Sequence, residues 1–182
     1  MRPTGSTLAL LLAAAAAAYQ AWPHGGLFSR PVAPSLGYTD TQGHARSLAA
    51  PDKPVVVVLW VSPCGYCTRS LKVLDEIRRI YPEDELDVVG FYLNSATDAE
   101  IDALASAEGH RVTMARGQPD GPFVERLTSG FGFRGTGRDI YIVGKDGRYR
   151  TVDSSDLKEP QGYTLDKVRT VLLNDLHLKE RT

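Results

Sequence analysis

The chain has 182 residues, a formal charge of −1 at neutral pH and 42% hydrophobic residues. This is ordinary globular composition, long enough for one domain with a proper core. The charge balance excludes the strongly basic surface that nucleic-acid-binding proteins carry, so we expect no nucleic-acid partner.

The N-terminus is typical of an exported protein. Residues 8–22, LALLLAAAAAAYQAW, contain no charge and follow Arg2. About 15 apolar residues is typical of a secretory signal peptide and short for a membrane span of roughly 20. Cleavage after Ala18 would release the protein, whereas retention with Trp22 at the interface would anchor it. A soluble alanine-rich helix is a third interpretation. If residues 1–22 are an export segment of either kind, the rest of the chain enters the periplasm.

The remaining chain alternates strands with helices. Residues 23–35 are rich in Pro, Gly and Ser, which predicts a flexible linker before a domain at 36–182. The pattern predicts, in order, a hairpin (36–39 and 45–48), strand 55–60, helix 64–81, strand 86–93, helix 97–108, extended segment 111–115, helix 123–129, a hairpin (139–143 and 148–152) and helix 165–176. This order predicts an α/β fold with a mixed central sheet flanked by helices, extended at its N-terminus by the first hairpin.

Both cysteines of the chain lie in one short segment, LWVSPCGYCTRSL, at the start of the predicted helix 64–81. Two cysteines of an exported protein normally pair with each other. A bond that closes so short a loop stabilises by only about 2 kcal/mol, so a purely structural role explains it poorly. Structural zinc needs four ligands, and no further cysteine is present.

A copper carrier that uses both cysteines and one distant histidine stays open as an alternative. We otherwise expect no metal and no cofactor. The four histidines are scattered, and we expect them on the solvated surface: His24, His44, His110 and His177.

A redox pair has a physical mechanism at this position. Cys64 lies where a buried strand meets a helix N-terminus, and the free N–H groups there favour a thiolate. Cys67, one turn later on the same face, is placed to attack a mixed disulfide at Cys64. Pro63 suits the entry to the helix, and Gly65 leaves room for a substrate backbone. We therefore predict that Cys64 is the nucleophile and Cys67 the resolving thiol.

The segment VVVVLWVSPCGYC resembles the active-site segment of the thioredoxin superfamily, with Trp60 four residues before the first cysteine. LGYTDTQGHARSL and FGFRGTGRDIYIVGKDGRYR resemble the membrane-tethered, periplasmic branch typified by TlpA and ResA. The resemblance covers roughly residues 36–176. It implies a thioredoxin fold and a thiol:disulfide oxidoreductase in which Trp60 borders the active site and Tyr66 shapes the substrate contact. Core packing for Trp60 and simple exposure for Tyr66 are the alternatives. The dipeptide of CGYC also matches the periplasmic disulfide isomerases of the DsbC type.

Two positions depart from the family pattern. In the family a cis-proline precedes the final hairpin, and here RGTGRDIYIV places Gly137 at that position, after Thr136. We expect a trans Thr136–Gly137 bond, because a non-proline cis bond costs about 3 kcal/mol. Both residues would face Cys64 and the substrate. Proline at 137 would restore the family's docking surface, unless Gly137 has a positive φ that proline cannot adopt. Val58 replaces the buried acid that assists the resolving cysteine, and no other base is evident.

The resemblance also implies partners. Substrates would be exported proteins with disulfides or thiols, and a reductase would receive electrons from a membrane donor of the DsbD type. A disulfide isomerase is the alternative within the same class, but the linker at 23–35 leaves no room for the dimerisation domain of the DsbC type. We expect a monomer. A non-catalytic or metal-handling binding protein on the same scaffold is the alternative from another class.

Overall fold

The computed structural model describes residues 32–116, 122–132, 134–156 and 161–180. The predicted export segment, residues 1–22, lies outside these ranges, as does most of the predicted linker. Every helix in the described ranges is too short or too polar to cross a membrane.

The last residues assigned to the linker pack on the domain. Ala33 and Pro34 are buried. The Ala33 N–H donates to the carbonyl of Gly147 at 2.7 Å, and Val32 forms a bridge with Arg148. Residues 32–35 are therefore part of the folded unit.

Strands and helices follow the predicted order. The strands are β1 (Gly37–Thr39), β2 (Ala45–Ser47), β3 (Val55–Trp60), β4 (Asp87–Tyr92), β5 (Thr113–Arg116), β6 (Asp139–Val143) and β7 (Tyr149–Asp153). The helices are α1 (Gly65–Ile80), α2 (Asp98–Ala107), α3 (Pro122–Gly130) and α4 (Gln161–Asp175). The predicted capping box at the start of α2 is confirmed, because Thr97 and Glu100 bond reciprocally.

Five strands form one mixed sheet in the order β5-β4-β3-β6-β7. β3 pairs in parallel with β4, and β4 with β5, whereas β6 runs antiparallel to both β3 and β7. β1 and β2 form a separate antiparallel hairpin, which reaches the β5 edge through a bridge between Asp40 and Ala115. The predicted fold class, a mixed sheet flanked by helices with an N-terminal hairpin, is confirmed.

The central strand β3 is buried on both faces, which explains its continuous apolar run. On one face, Val56, Val58 and Trp60 pack in a core with buried residues of α1, α2 and α4. On the other face, Val55 and Val57 pack with the hairpin and α3. The strand is thus held rigidly by two cores, and its C-terminal end carries the segment that contains both cysteines.

Candidate active site

The two cysteines are joined by a disulfide at the N-terminus of α1. Cys64 is the N-cap residue of that helix, with extended backbone angles, and Cys67 lies in its first turn. Their Cα atoms are 5.2 Å apart. Cys64 is partly exposed, whereas Cys67 has no exposed surface. This asymmetry is what the predicted roles require, since of the two cysteines only Cys64 keeps exposed surface.

A backbone N–H group at the helix N-terminus, which has no partner within the helix, points at the outer sulfur. The backbone N–H of Cys67 donates to Sγ of Cys64 at 3.2 Å. In the reduced protein the same N–H and the positive end of the helix dipole would face a Cys64 thiolate. The local structure therefore favours the ionised form of the exposed cysteine.

The loop before β6 closes over the cysteine pair. Oγ1 of Thr136 lies 3.7 Å from Sγ of Cys64, and the carbonyl oxygen of Thr136 lies 3.9 Å from it. The predicted apposition of Thr136 and Cys64 is therefore present, although the two residues are 72 positions apart in the chain.

Gly137 has a conformation that only glycine adopts easily. Its φ is +64°, and the one cis peptide bond in the described residues is Ser62–Pro63, so Thr136–Gly137 is trans as expected. A Cβ at Gly137 would lie 2.6 Å from the carbonyl carbon of Tyr66 and closer still to N and Cα of Cys67. Proline cannot occupy this position, because its φ is fixed near −65°. Of the two sequence-based alternatives, the positive φ is the one found.

The Gly137 backbone uses both of its polar groups inside the protein. Its N–H donates to the carbonyl of Leu59 at 2.7 Å. Its carbonyl accepts from Oγ of Ser70 at 2.7 Å and from Oγ of Ser154 at 2.8 Å. The two hydroxyls are 2.7 Å from each other and fully buried. This serine clamp, Ser70 and Ser154, fixes the loop onto α1 next to Cys67.

An ion-pair cluster anchors the same loop at its base. Arg134 pairs with the buried carboxylate of Asp139, and its guanidinium also lies 3.2 Å from Asp153. Hydrogen bonds from Ser155, with a smaller contribution from Arg134, lower the pKa of Asp153. The loop is thus held at both ends, which keeps Thr136 at the cysteine pair.

The other predicted substrate-contacting residues differ in exposure. Trp60 has no exposed surface and packs against Tyr92, with ring centroids 4.8 Å apart. It is a core residue here, so it offers no surface to a protein substrate.

Pro63 and Gly65 are exposed, and Tyr66 is partly exposed. The Gly137 backbone is buried and internally bonded, whereas its neighbours keep exposed surface, Thr136 in part and Arg138 more fully.

Tyr66 carries a charged neighbour that sequence patterns did not suggest. The guanidinium of Arg138 lies over its ring, 4.7 Å from the centroid. Such stacking is attractive, and it places a positive charge at the rim of the cysteine site. The contact joins the segment between the cysteines to the Gly137 loop.

The histidines predicted at the surface differ in burial. His110 is buried and bonds to Asp75 at 2.8 Å, so its predicted place on the solvated surface is wrong. The physical reason is that a carboxylate on α1 compensates the buried ring. His44 is exposed as expected and pairs with Asp40. No group of three potential metal ligands occurs within the described part of the chain.

Solved structures with a similar fold include proteins described as a disulfide oxidoreductase and as a thiol:disulfide interchange protein. A secreted disulfide oxidoreductase of Mycobacterium tuberculosis, homologous to E. coli DsbE, matches with a TM-score of 0.56 at 15% identity, covering 75% of this chain and 96% of that one. A thiol:disulfide interchange protein from Bacteroides sp. matches with a TM-score of 0.59 at 16% identity, covering 78% and 88%. StoA from Bacillus subtilis matches with a TM-score of 0.52 at 13% identity, covering 74% and 99%.

The chain has the thioredoxin fold. No protein-family model matches it, and no curated protein matches it significantly. At these identities the similarity establishes the fold alone, because one fold can carry many functions.

Proposed function

We propose that this protein is a thiol:disulfide oxidoreductase that exchanges disulfides with exported proteins through Cys64 and Cys67. The observation that carries the proposal is the asymmetric pair at the N-terminus of α1. Its outer residue, Cys64, is partly exposed and accepts a helix N–H at its sulfur, and its inner residue, Cys67, is fully buried. Two of the similar solved structures support the same chemistry, because one is a disulfide oxidoreductase and the other a thiol:disulfide interchange protein.

The reductive cycle begins with a Cys64 thiolate that attacks one sulfur of a substrate disulfide. The substrate S–S bond breaks, a Cys64–substrate bond forms, and the other substrate sulfur leaves as a thiolate that takes up a proton. The Cys67 thiolate then attacks Sγ of Cys64, which releases the second substrate thiol and forms the Cys64–Cys67 bond. Two electrons pass from the protein dithiol to the substrate, and the reverse sequence oxidises a substrate dithiol.

We further propose that the protein works as a reductase in the periplasm. Residues 8–22 would either be cleaved with the signal peptide or tether the domain to the inner membrane. A membrane donor of the DsbD type would regenerate the dithiol, and the domain would act as a monomer. The substrate would contact Pro63, Gly65 and Tyr66, which adjoin the cysteines in the chain and keep exposed surface, and Thr136, whose hydroxyl lies 3.7 Å from Sγ of Cys64.

The decisive experiment is dithiothreitol-driven insulin reduction by the described domain, with Cys64→Ser as control. We expect turnover with the wild type and none with the variant. A reduction potential well below about −200 mV would support a reductase, and one near −120 mV an oxidant. Tight copper or zinc binding without insulin turnover would refute the proposal and favour the metal-handling alternative. Refolding of a scrambled protein faster than insulin turnover would instead favour an isomerase.

A further inference from the structure

Glu108 connects the two residues that flank the cysteine turn. It is the C-cap residue of α2, and its side chain is 22% exposed. One carboxylate oxygen accepts from Oγ of Ser62 at 2.7 Å, and the other accepts from Oγ1 of Thr68 at 3.0 Å. Ser62 precedes the Pro63-Cys64 dipeptide and Thr68 follows Cys67 directly. A single carboxylate therefore bridges both ends of the active-site segment.

Contacts with Asp75 and His110 hold the chain segment that begins at Glu108. Oδ2 of Asp75, on α1, lies 2.8 Å from Nδ1 of His110, and Oδ1 accepts from the backbone N–H of Arg111 at 2.8 Å. Nε2 of His110 is buried without a hydrogen-bond partner and lies 3.7 Å from Oε2 of Glu108. The segment from Glu108 to Arg111 is thus pinned to the same helix that carries Cys67, which fixes the Glu108 side chain.

The Glu108 carboxylate lies close to the backbone of the cysteine turn. Oγ1 of Thr68 lies 3.2 Å from the carbonyl oxygen of Cys64 as well as 3.0 Å from Glu108, so one hydroxyl separates the carboxylate from the Cys64 backbone. A carboxylate near a helix N-terminus opposes the formation of a second anion there. It therefore counteracts the helix N–H groups that favour the Cys64 thiolate. A less favourable thiolate makes the dithiol less stable relative to the disulfide, which lowers the reduction potential.

We propose that Glu108 is a positioning residue that clamps the cysteine turn through Ser62 and Thr68 and lowers the reduction potential of the Cys64–Cys67 pair. The biological meaning rests on the proposed disulfide exchange. The physical effect does not, because it concerns only the internal equilibrium between dithiol and disulfide.

The test compares Glu108→Gln with the wild type in redox equilibrium with glutathione. Gln keeps the shape and can bond to both hydroxyls but carries no charge. We expect the equilibrium to shift about three- to tenfold toward the dithiol, where tenfold corresponds to about 30 mV. Iodoacetamide should alkylate Cys64 of the reduced variant faster at pH 7, by a similar factor. Glu108→Asp retains the charge, so its equilibrium between dithiol and disulfide should shift by less than half as much as that of Glu108→Gln.

Glu100→Gln is the matched control. It makes the same substitution at the other end of α2, where Gln also serves in a capping box, and we expect no shift. An equilibrium within twofold of wild type for Glu108→Gln would overturn the proposal, even with a lower melting temperature, because the residue would then be only structural. If this variant does not fold, Glu108→Ala removes the same charge and is judged by the same criterion.

Insulin reduction with the same preparations separates the two proposals. A wild type that does not reduce insulin would contradict the proposed function and leave the glutathione comparison valid. A wild type that reduces insulin, together with an unshifted Glu108→Gln, would contradict the role of Glu108 alone.

Discussion

Gly137 and Cys67 pack backbone against backbone. Gly137 stands where the family resemblance implies a cis-proline, yet it meets the cysteine helix with no side chain at all. Its positive φ turns the chain so that its carbonyl enters the serine clamp of Ser70 and Ser154. The inner cysteine is fully buried even though no proline ring covers it. The contacts of the Gly137 backbone therefore hold this loop against the helix without a proline ring.

This packing makes Gly137 intolerant of substitution. We expect Gly137→Ala to lower the free energy of unfolding by about 3 kcal/mol, from left-handed strain and a backbone clash together. Gly137→Pro should be at least as damaging, since it also loses the N–H bond to Leu59. Urea unfolding measures both effects.

Gly43→Ala is the matched control for Gly137→Ala. Gly43 also has a positive φ, +88°, but nothing lies within 4 Å of its added Cβ. It should therefore cost only the strain, about 1–2 kcal/mol. Equal losses for both variants would show that Gly137 does not contact the Cys67 backbone closely. A Gly137→Pro variant with normal stability and higher insulin turnover would refute the account of this loop.

Loss of both clamp serines should lower the free energy of unfolding by more than the sum of the two single losses. Either Ser70→Ala or Ser154→Ala leaves one donor on the Gly137 carbonyl and should cost about 1 kcal/mol. The double variant leaves that buried carbonyl unsatisfied and should cost about 1–3 kcal/mol more. It should also expose Cys67, measured as faster alkylation of the inner thiol in the reduced protein. Ser129→Ala, on the exposed surface of α3, should change neither quantity. If the double variant lost only the sum of two small single losses in unfolding free energy, the two serines would not act as a clamp.

Thr136 should assist the Cys64 thiolate. Its hydroxyl, 3.7 Å from Sγ in the disulfide, is placed to donate to the ionised sulfur after reduction. Thr136→Val keeps the shape without the donor. We expect several-fold slower alkylation of Cys64 at pH 7, with little change in melting temperature. Thr151→Val, on an exposed position of β7, provides the comparison and should alkylate at the wild-type rate. Identical rates for the two variants would show that the Thr136 hydroxyl does not act on the sulfur.

A pH effect is expected far from the cysteines, at Tyr81. Burial, and then the nearby Glu180 carboxylate, raise the pKa of Tyr81 to about 12. Free tyrosine ionises near 10. Folding therefore favours the neutral form, and this contribution is complete below pH 10 and is lost as the pH rises toward 12. The unfolding free energy of Tyr81→Phe should fall less steeply than that of the wild type over this interval. Parallel curves for the two proteins would contradict the assignment.

The sequence predicted the strands, the helices and the position of the cysteine pair because these depend on local patterns. The β-branched run at β3 and the helical spacing after Cys64 place the pair at a strand–helix junction without any tertiary information. The position of Thr136 opposite Cys64 also followed, although from family resemblance rather than from local pattern.

The sequence could not indicate the contacts that hold the site together. Ser154 and Glu108 reach the active-site helix from distant segments, and a single Ser or Glu in a polar stretch carries no distinctive pattern. His110 was expected at the surface because nothing local reveals Asp75 beside it. Ser70 could have been noticed, because it lies three residues after Cys67 and so on the same helix face.

The most direct test of the central claim is the capture of mixed disulfides by Cys67→Ser. Without the resolving thiol, the attack by Cys64 should stop at the covalent intermediate, while wild type releases its partner. The variant is incubated in reduced form with a disulfide-containing protein, quenched with alkylating agent and separated without reductant. The account predicts dithiothreitol-sensitive conjugates with Cys67→Ser and none with the Cys64→Ser, Cys67→Ser double variant. Conjugates formed by Cys64→Ser in place of Cys67→Ser, or by neither single variant, would contradict it.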